Sequence, residues 1–119
     1  MIYLTNATSI TMLPVFDFDE YESQKIKIMP IRPELVSSLL SANVFKHYIG
    51  HTDTVNVLSS ILGVKLGEKN REALRVNDEW DTIIVCQYDH NGQRLPEGAT
   101  QLPDGAKFKF FALEILAQI

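Results

Sequence analysis

The residues best suited to chemistry lie together between Tyr48 and Thr54, in the sequence Tyr-Ile-Gly-His-Thr-Asp-Thr. Gly50 permits a close approach of the backbone to another group. His51 follows it, where an apolar pattern with helical spacing begins. Amide groups at the start of a helix attract anions, and a histidine there can exchange a proton near neutral pH. The segment therefore predicts a site where a phosphate meets a proton donor.

A purely structural interpretation of the same segment stays open. In that interpretation Thr52 caps the helix and His51 is an ordinary surface residue. Asp53 favours it, because a carboxylate in the first turn competes with a phosphate for the positive end of the helix dipole.

Motifs for a metal or a nucleoside triphosphate do not accompany this segment. The three histidines and the single cysteine lack the spacing of HExxH or paired CxxC motifs, and no Gly-Lys-Ser/Thr sequence follows Gly63 or Gly67. We therefore expect neither a metal nor a cofactor. Cys86 lies in an apolar run and is expected to pack in the core. A lone cysteine forms no internal disulfide, which fits a reducing compartment.

Composition and charge narrow the class of protein. The chain has 119 residues, of which 45% are hydrophobic and 22% charged, which predicts one globular domain over 1–119. The net charge of −4 and the absence of a basic stripe argue against DNA as a partner, but a few placed donors can still bind a small anion. No apolar run approaches the roughly 18 residues that span a bilayer, and no signal peptide is evident. We therefore expect no membrane partner and a cytoplasmic location.

Hydrophobic periodicity predicts the elements that must position these residues. It indicates strands over 2–5, 23–29, 81–87 and 107–116, one helix from Pro33, and a second helix from His51–Thr52 to Gly63. A short helical turn is predicted over 8–13, ended by Pro14, and loops over the acidic stretch 17–22 and over 43–50. Strands and helices mix without strict alternation, which favours an α/β domain with a mixed sheet of about five strands flanked by helices.

Three segments together resemble the viral and prophage ring nucleases that act as anti-CRISPR proteins against type III systems. They are residues 2–10 (Ile-Tyr-Leu-Thr-Asn-Ala-Thr-Ser-Ile), 49–54 (Ile-Gly-His-Thr-Asp-Thr) and 94–98 (Arg-Leu-Pro-Glu-Gly). Their order and spacing span most of the chain. The resemblance implies a mixed α/β homodimer that degrades cyclic tetra-adenylate, the second messenger that activates CRISPR-associated effector nucleases. A viral member would work in the host cytoplasm.

Carried over by position, the resemblance implies roles for eight residues. His51 matches the catalytic histidine, while Arg94 and Glu97 match a pair beside the scissile phosphates. Ligand contacts are implied for five further positions: Asn6, Ser9, Thr54, Arg71 and Gln87. Asp53 departs from the family pattern, in which a small hydroxyl residue is expected, so no phosphate contact is implied for its side chain.

Ordinary interpretations of the same residues also stay open. Asn6 and Ser9 suit turns and caps. Arg71 and Arg94 suit a solvated surface, and Gln87 suits the end of a strand. His47 and His90 fall in predicted loops, and we assign neither a role.

The implied ligand offers a route that needs no metal. A ribose 2′-hydroxyl attacks its own 3′-phosphate and expels the 5′-oxygen, leaving 2′,3′-cyclic phosphate ends. We expect His51 to protonate the leaving oxygen and Arg94 or Arg71 to stabilise the charge. Glu97 either orients Arg94 or acts on the hydroxyl. A two-fold axis through the ligand cleft would place two copies of His51 over opposite phosphates, so we expect a homodimer.

Two other functions use the same features. A non-catalytic protein that sequesters or senses a cyclic nucleotide needs the same loop and arginines. A viral structural or DNA-binding protein is the other alternative, and the acidic balance of the chain argues against DNA.

Overall fold

Five strands form one mixed sheet in the computed structural model, which describes residues 1–17, 23–76 and 81–116. In chain order they are β1 (Ile2–Thr5), β2 (Ile26–Ile31), β3 (Phe45–Tyr48), β4 (Thr82–Asp89) and β5 (Lys107–Ile115). Across the sheet the order is β2-β5-β4-β1-β3. β1 pairs in parallel with β3 and β4, whereas β5 pairs antiparallel with β4 and β2. The three parallel strands therefore end at the same edge of the sheet.

Two helices cover one face of this sheet. α2 (Pro33–Ala42) begins with a proline in its first turn, where the missing N–H has no helical partner to lose. α3 (Thr52–Leu62) ends at Gly63, whose φ of +63° suits a glycine C-cap. Their apolar sides pack against β1, β4 and β5 in one core cluster, which includes Val36, Leu40, Val55, Leu58, Leu4, Ile84 and Phe110.

The opposite face carries a second, smaller core cluster. A 3-10 helix (Ile10–Met12) and the short helix α1 (Pro14–Asp17) lie next to it. The cluster joins Met12 and Leu13 to the sheet and to the segment before β4, with Leu74, Val76, Ile83, Val85, Leu113 and Ile115. β4 is consequently buried on both faces, as its unbroken apolar run predicts.

The sequence predicted the α/β class and the mixed five-stranded sheet correctly, but it missed β3. Residues 43–50 were expected to form a loop, and the polar side chain of His47 gives no indication of a buried strand. His47 is in fact buried in β3, where it is only 7% exposed. Burial of His47 is possible because its Nδ1 accepts a 3.2 Å hydrogen bond from the amide of Ile49.

Smaller differences concern three other predicted segments. Pro14 begins α1 rather than only ending the turn before it, since proline is tolerated at a helix start. The strand predicted over 23–29 is β2, which runs from Ile26 to Ile31 at the edge of the sheet, and its Ile28 is 63% exposed. Residues 18–22 of the predicted acidic loop lie outside the described residues. Helices that combine the length and the apolar character of a transmembrane segment are absent from the described residues.

Candidate functional site

A cleft of about 980 Å³ opens beyond the carboxyl ends of the parallel strands. Asn6 follows β1, His51 follows β3 by three residues, and Gln87 lies in the last part of β4. Because β3, α3 and β4 form a β-α-β unit, α3 starts at this same edge. Ligands of α/β sheets commonly bind in the crevice outside the carboxyl ends of the strands. The topology thus brings separate segments of the chain to one place.

Seven of the eight residues named from the sequence line this cleft. They are His51, Arg94, Glu97, Asn6, Thr54, Arg71 and Gln87. Ser9 is the exception, because its hydroxyl accepts a 3.3 Å hydrogen bond from the amide of Thr11 and caps the 3-10 helix. A ligand contact from Ser9 stays a prediction.

His51 occupies the N-cap position of α3 and keeps its side chain exposed. Its backbone is extended, with φ of −124°, and its carbonyl accepts the first helical hydrogen bond from the amide of Val55 at 3.0 Å. The imidazole forms no capping hydrogen bond. Thr52 is the first residue of the helix and not its cap. The imidazole and the first-turn amides therefore share the mouth of the cleft, an arrangement suited to an anion and a proton transfer.

Arg71 is fixed beside His51 by backbone contacts. Its Nε donates a 2.9 Å hydrogen bond to the carbonyl of Gly50. The preceding Asn70 is tied to the end of β3, with its side-chain amide donating to the carbonyl of His47 at 2.9 Å and its backbone amide to that of Ile49 at 2.8 Å. A Cβ atom at Gly50 would lie 3.1 Å from Cγ of Arg71, so the glycine makes room for this side chain.

The connection from β4 to β5 forms the opposite wall of the cleft. Three of its apolar residues, Leu95, Ala99 and Leu102, pack against the core cluster beneath the helices. At its tip the amide of Gly98 donates a 2.8 Å hydrogen bond to Oδ2 of Asp53. Arg94 and Glu97 are exposed on the same connection, and no ion pair joins them in the described part of the chain.

Sequence reasoning missed one charged residue of the cleft, Lys69. It lies in an irregular segment with no periodicity or motif to single it out. Among the described residues, the lining holds three permanent cations, Lys69, Arg71 and Arg94, and the two carboxylates of Asp53 and Glu97. A chain of net charge −4 thus has a local excess of positive charge at this site.

Cys86 also borders the cleft but is not available as a nucleophile. Burial raises the pKa of its thiol to about 12, and the thiol donates to the carbonyl of Thr5 at 3.3 Å. The thiolate is the reactive form, so the thiol stays inert near neutral pH. Among residues 1–17, 23–76 and 81–116, no three His, Cys, Asp or Glu side chains are grouped so as to hold a metal ion.

Comparison with known proteins places this fold and sequence in a viral context. The chain is similar to B116 of Sulfolobus turreted icosahedral virus, with a TM-score of 0.70 and 28% identity over 95% of this chain and 97% of that one. No curated protein matches the chain. The sequence model of the STIV B116-like family matches residues 2–106. Because this match covers most of the chain, the protein belongs to the STIV B116-like family.

Proposed function

We propose that this protein is a metal-independent ring nuclease that cleaves cyclic tetra-adenylate. The observation that carries the proposal is the cleft at the carboxyl edge of the sheet, which is lined by His51, Arg71 and Arg94 from distant parts of the chain. A proton donor and two guanidinium groups are what a phosphodiester needs when its own ribose supplies the nucleophile. The volume of about 980 Å³ is at the upper end for small-molecule sites, as a cyclic oligonucleotide requires.

The reaction forms one bond to phosphorus and breaks another. The 2′-oxygen of a ribose bonds to the adjacent phosphorus, and the bond from phosphorus to the 5′-oxygen of the next nucleotide breaks. His51 gives its proton to that 5′-oxygen, while the 2′-hydroxyl proton goes to Glu97 or to water. The products are linear, with 2′,3′-cyclic phosphate ends. Because the nucleophile is tethered, orienting the ribose for in-line attack supplies much of the rate.

Charge on the phosphate is stabilised from two sides of the cleft. Arg71 lines the cleft and is held at the end of β3 by its Nε, and Arg94 lies on the connection from β4 to β5. Guanidinium groups suit this role because they present several donors to the oxygens of a phosphate. Amides of the first turn of α3 add to the positive potential.

A comparison of three proteins tests the catalytic role of His51. Wild type, His51→Ala and His90→Ala are incubated with cyclic tetra-adenylate and with its tri- and hexa-adenylate analogues, and products are resolved by chromatography. General acid catalysis contributes about 10²- to 10⁴-fold, so His51→Ala should lose that much turnover while still binding the ring. His90 does not line the cleft and provides the histidine control. Because its Nδ1 lies 3.4 Å from the hydroxyl of Tyr88, a residue of the lining, His90→Ala also measures how much an indirect change at the cleft alters turnover. Normal single-turnover rates in His51→Ala would remove His51 from the mechanism.

The same incubation separates catalysis from simple sequestration. A binding protein would bind the ring in the same cleft and return it intact after denaturation.

Excess EDTA should leave the cleavage rate of the wild type unchanged. Loss of activity in EDTA would contradict the metal-independent mechanism.

We further propose that the working form is a homodimer with the ligand cleft at the two-fold axis. The ring carries four negative charges, whereas the described residues of one protomer's cleft offer three permanent cations alongside two carboxylates. A second copy doubles the cations and supplies a second His51 for the opposite phosphate. Sedimentation of the free and ring-bound protein should show a dimer. A monomeric species with full activity would contradict this assembly.

The proposed activity gives the protein a place in antiviral signalling. Cleavage of cyclic tetra-adenylate removes the messenger that activates type III CRISPR effector nucleases. In the host cytoplasm, a viral enzyme of this kind would switch that response off. The similarity to B116, a protein of a virus, supports this role.

A further inference from the structure

The position of Asp53 conflicts with the binding of an anionic ligand, and the proposed function does not explain it. Its carboxylate lies in the first turn of α3 and lines the cleft. An anionic ligand at this point would meet an unfavourable charge, because the carboxylate weakens the attraction of the helix N-terminus for phosphate. A residue with this cost needs a compensating role.

The structure supplies that role in one contact across the cleft. Oδ2 of Asp53 accepts a 2.8 Å hydrogen bond from the backbone amide of Gly98, 45 residues further along the chain. A hydrogen bond between an amide and a carboxylate is stronger than one between neutral groups. Gly98 directly follows Glu97, and Arg94 lies four residues before it. The contact thus ties the wall that carries both residues to the helix that His51 begins.

We infer that Asp53 is a positioning residue that fastens the connection bearing Arg94 and Glu97 to the start of α3. Leu95 and Ala99 pack against the core cluster on either side of an exposed turn, in which the amide of Ala99 donates to the carbonyl of Pro96. The Asp53 hydrogen bond holds that turn against the start of α3. The carboxylate thereby sets the separation between the imidazole and the opposite wall. Its negative charge is directed to the Gly98 amide, which leaves Arg71 and Arg94 to meet the phosphates. The catalytic consequence of this inference rests on the proposed ring nuclease activity.

Three variants separate fastening from a simple charge effect. Asp53→Ala removes the hydrogen-bond acceptor, whereas Asp53→Asn removes the charge but keeps an oxygen that can accept the same bond. Asp104→Ala, in an exposed turn of the same connection, is the control for loss of one negative charge outside the cleft. Thermal unfolding of each variant verifies that it is folded.

The first measurement does not depend on any ligand. Amide hydrogen exchange at Gly98, followed by NMR, should accelerate by about 10- to 100-fold in Asp53→Ala, because a hydrogen bond to a charged group is lost. It should change by less than about 5-fold in Asp53→Asn and remain unchanged in Asp104→Ala. Wild-type exchange in a folded Asp53→Ala protein would overturn the inference. If Asp53→Ala does not fold, exchange in Asp53→Asn as fast as in peptides without structure would overturn it.

The second measurement uses cyclic tetra-adenylate. Asp53→Ala should lower kcat by about 10-fold with a smaller change in ring affinity, because Arg94 is no longer held in the position that the transition state needs. Asp53→Asn should restore most of kcat. A pure charge role would instead tighten ring binding equally in both Asp53 variants, which would contradict the inference. If wild type cleaves no ring, the proposed function fails, and the exchange result still decides whether Asp53 fastens the connection.

Discussion

The Nε of Arg71 donates a 2.9 Å hydrogen bond to the carbonyl oxygen of Gly50, the residue immediately before His51. The two residues are 21 positions apart, yet a Cβ atom on Gly50 would approach Cγ of Arg71 to 3.1 Å. The backbone therefore holds one edge of the guanidinium and leaves its other donors for a ligand. Gly50 sets the position of the cation beside the proton donor.

This relationship predicts that Gly50→Ala weakens ring binding by about 3- to 10-fold, because the added methyl group pushes Cγ of Arg71 aside and distorts the hydrogen bond that positions its guanidinium. Gly50 does not have a positive φ, so the backbone itself accepts alanine. Affinity for cyclic tetra-adenylate is measured by calorimetry in a His51→Ala background, in which turnover is suppressed.

Arg71→Lys is the companion variant for Gly50→Ala. Lysine keeps the positive charge but lacks the Nε–H that meets the carbonyl of Gly50. It should lose affinity to a similar extent. Wild-type affinity in Gly50→Ala would show that the position of Arg71 does not matter for the ligand.

The roles of Arg94 and Glu97 can be separated by a double-mutant cycle. No ion pair joins them in the described part of the chain, so each is available to the ligand in the free protein. If Glu97 receives the 2′-hydroxyl proton, Glu97→Gln should lower kcat by about 10²-fold in both the wild-type and the Arg94→Ala backgrounds. Single-turnover rates for the four proteins give the coupling. An effect of Glu97→Gln that vanishes in the Arg94→Ala background would instead assign Glu97 to orienting Arg94.

The sequence was a good guide wherever a local signal agreed with the packing. α3 begins and ends where the apolar period, His51 and Gly63 indicate, because periodicity and glycine C-capping are local properties. β4 was recognised because a strand covered on both faces needs an unbroken apolar run. β3 was missed because the burial of His47 depends on pairing with β1, which no local pattern records. The hydrogen bond from the Ile49 amide, although local, forms only once the backbone is folded.

Residues of the candidate site also differ in whether a local sequence signal identifies them. His51 could be named because a histidine at a helix start is a local feature with a known chemistry, whereas the eight site residues came together only through the resemblance. The Asp53–Gly98 bond depends on how the connection before β5 folds back over α3. The place of Lys69 in the cleft depends on how the segment between α3 and β4 returns to the end of β3, where its neighbour Asn70 is bound. Contacts of that kind join residues far apart in the chain and leave no periodic signature.

Burial of Cys86 predicts a loss of stability at alkaline pH. The pKa of its thiol rises from 9.0 to about 12 in the folded protein. Between these values the unfolded chain releases the proton and the folded chain keeps it. The contribution of the thiol to the free energy of unfolding is therefore fully present below pH 9 and is lost as the pH rises towards 12. The slope of the free energy of unfolding should approach about 1.4 kcal/mol per pH unit from this group.

Urea unfolding at several pH values from 8 to 11 measures this slope, with Cys86→Ala as the comparison. The alanine variant is less stable at every pH because it leaves a small cavity, but the part of the alkaline slope due to the thiol should disappear. Tyr3, whose pKa is also raised, chiefly by burial, contributes equally to both proteins. Identical alkaline slopes would show that the thiol is not protected from ionisation.

Lys69 offers the last prediction, because it is a cation of the cleft that the sequence did not single out. Lys69→Ala should weaken binding of cyclic tetra-adenylate by about 3- to 10-fold at low salt and reduce the salt dependence of binding, since one fewer cation meets the phosphates. Lys65→Ala is the matched control: Lys65 is exposed in the same segment between α3 and β4 but does not line the cleft. Binding isotherms at several salt concentrations measure both effects. A lysine in contact with the ring should change affinity more than a lysine outside the cleft. Equal losses of affinity in the two variants would therefore show that Lys69 acts only through the net charge of the protein.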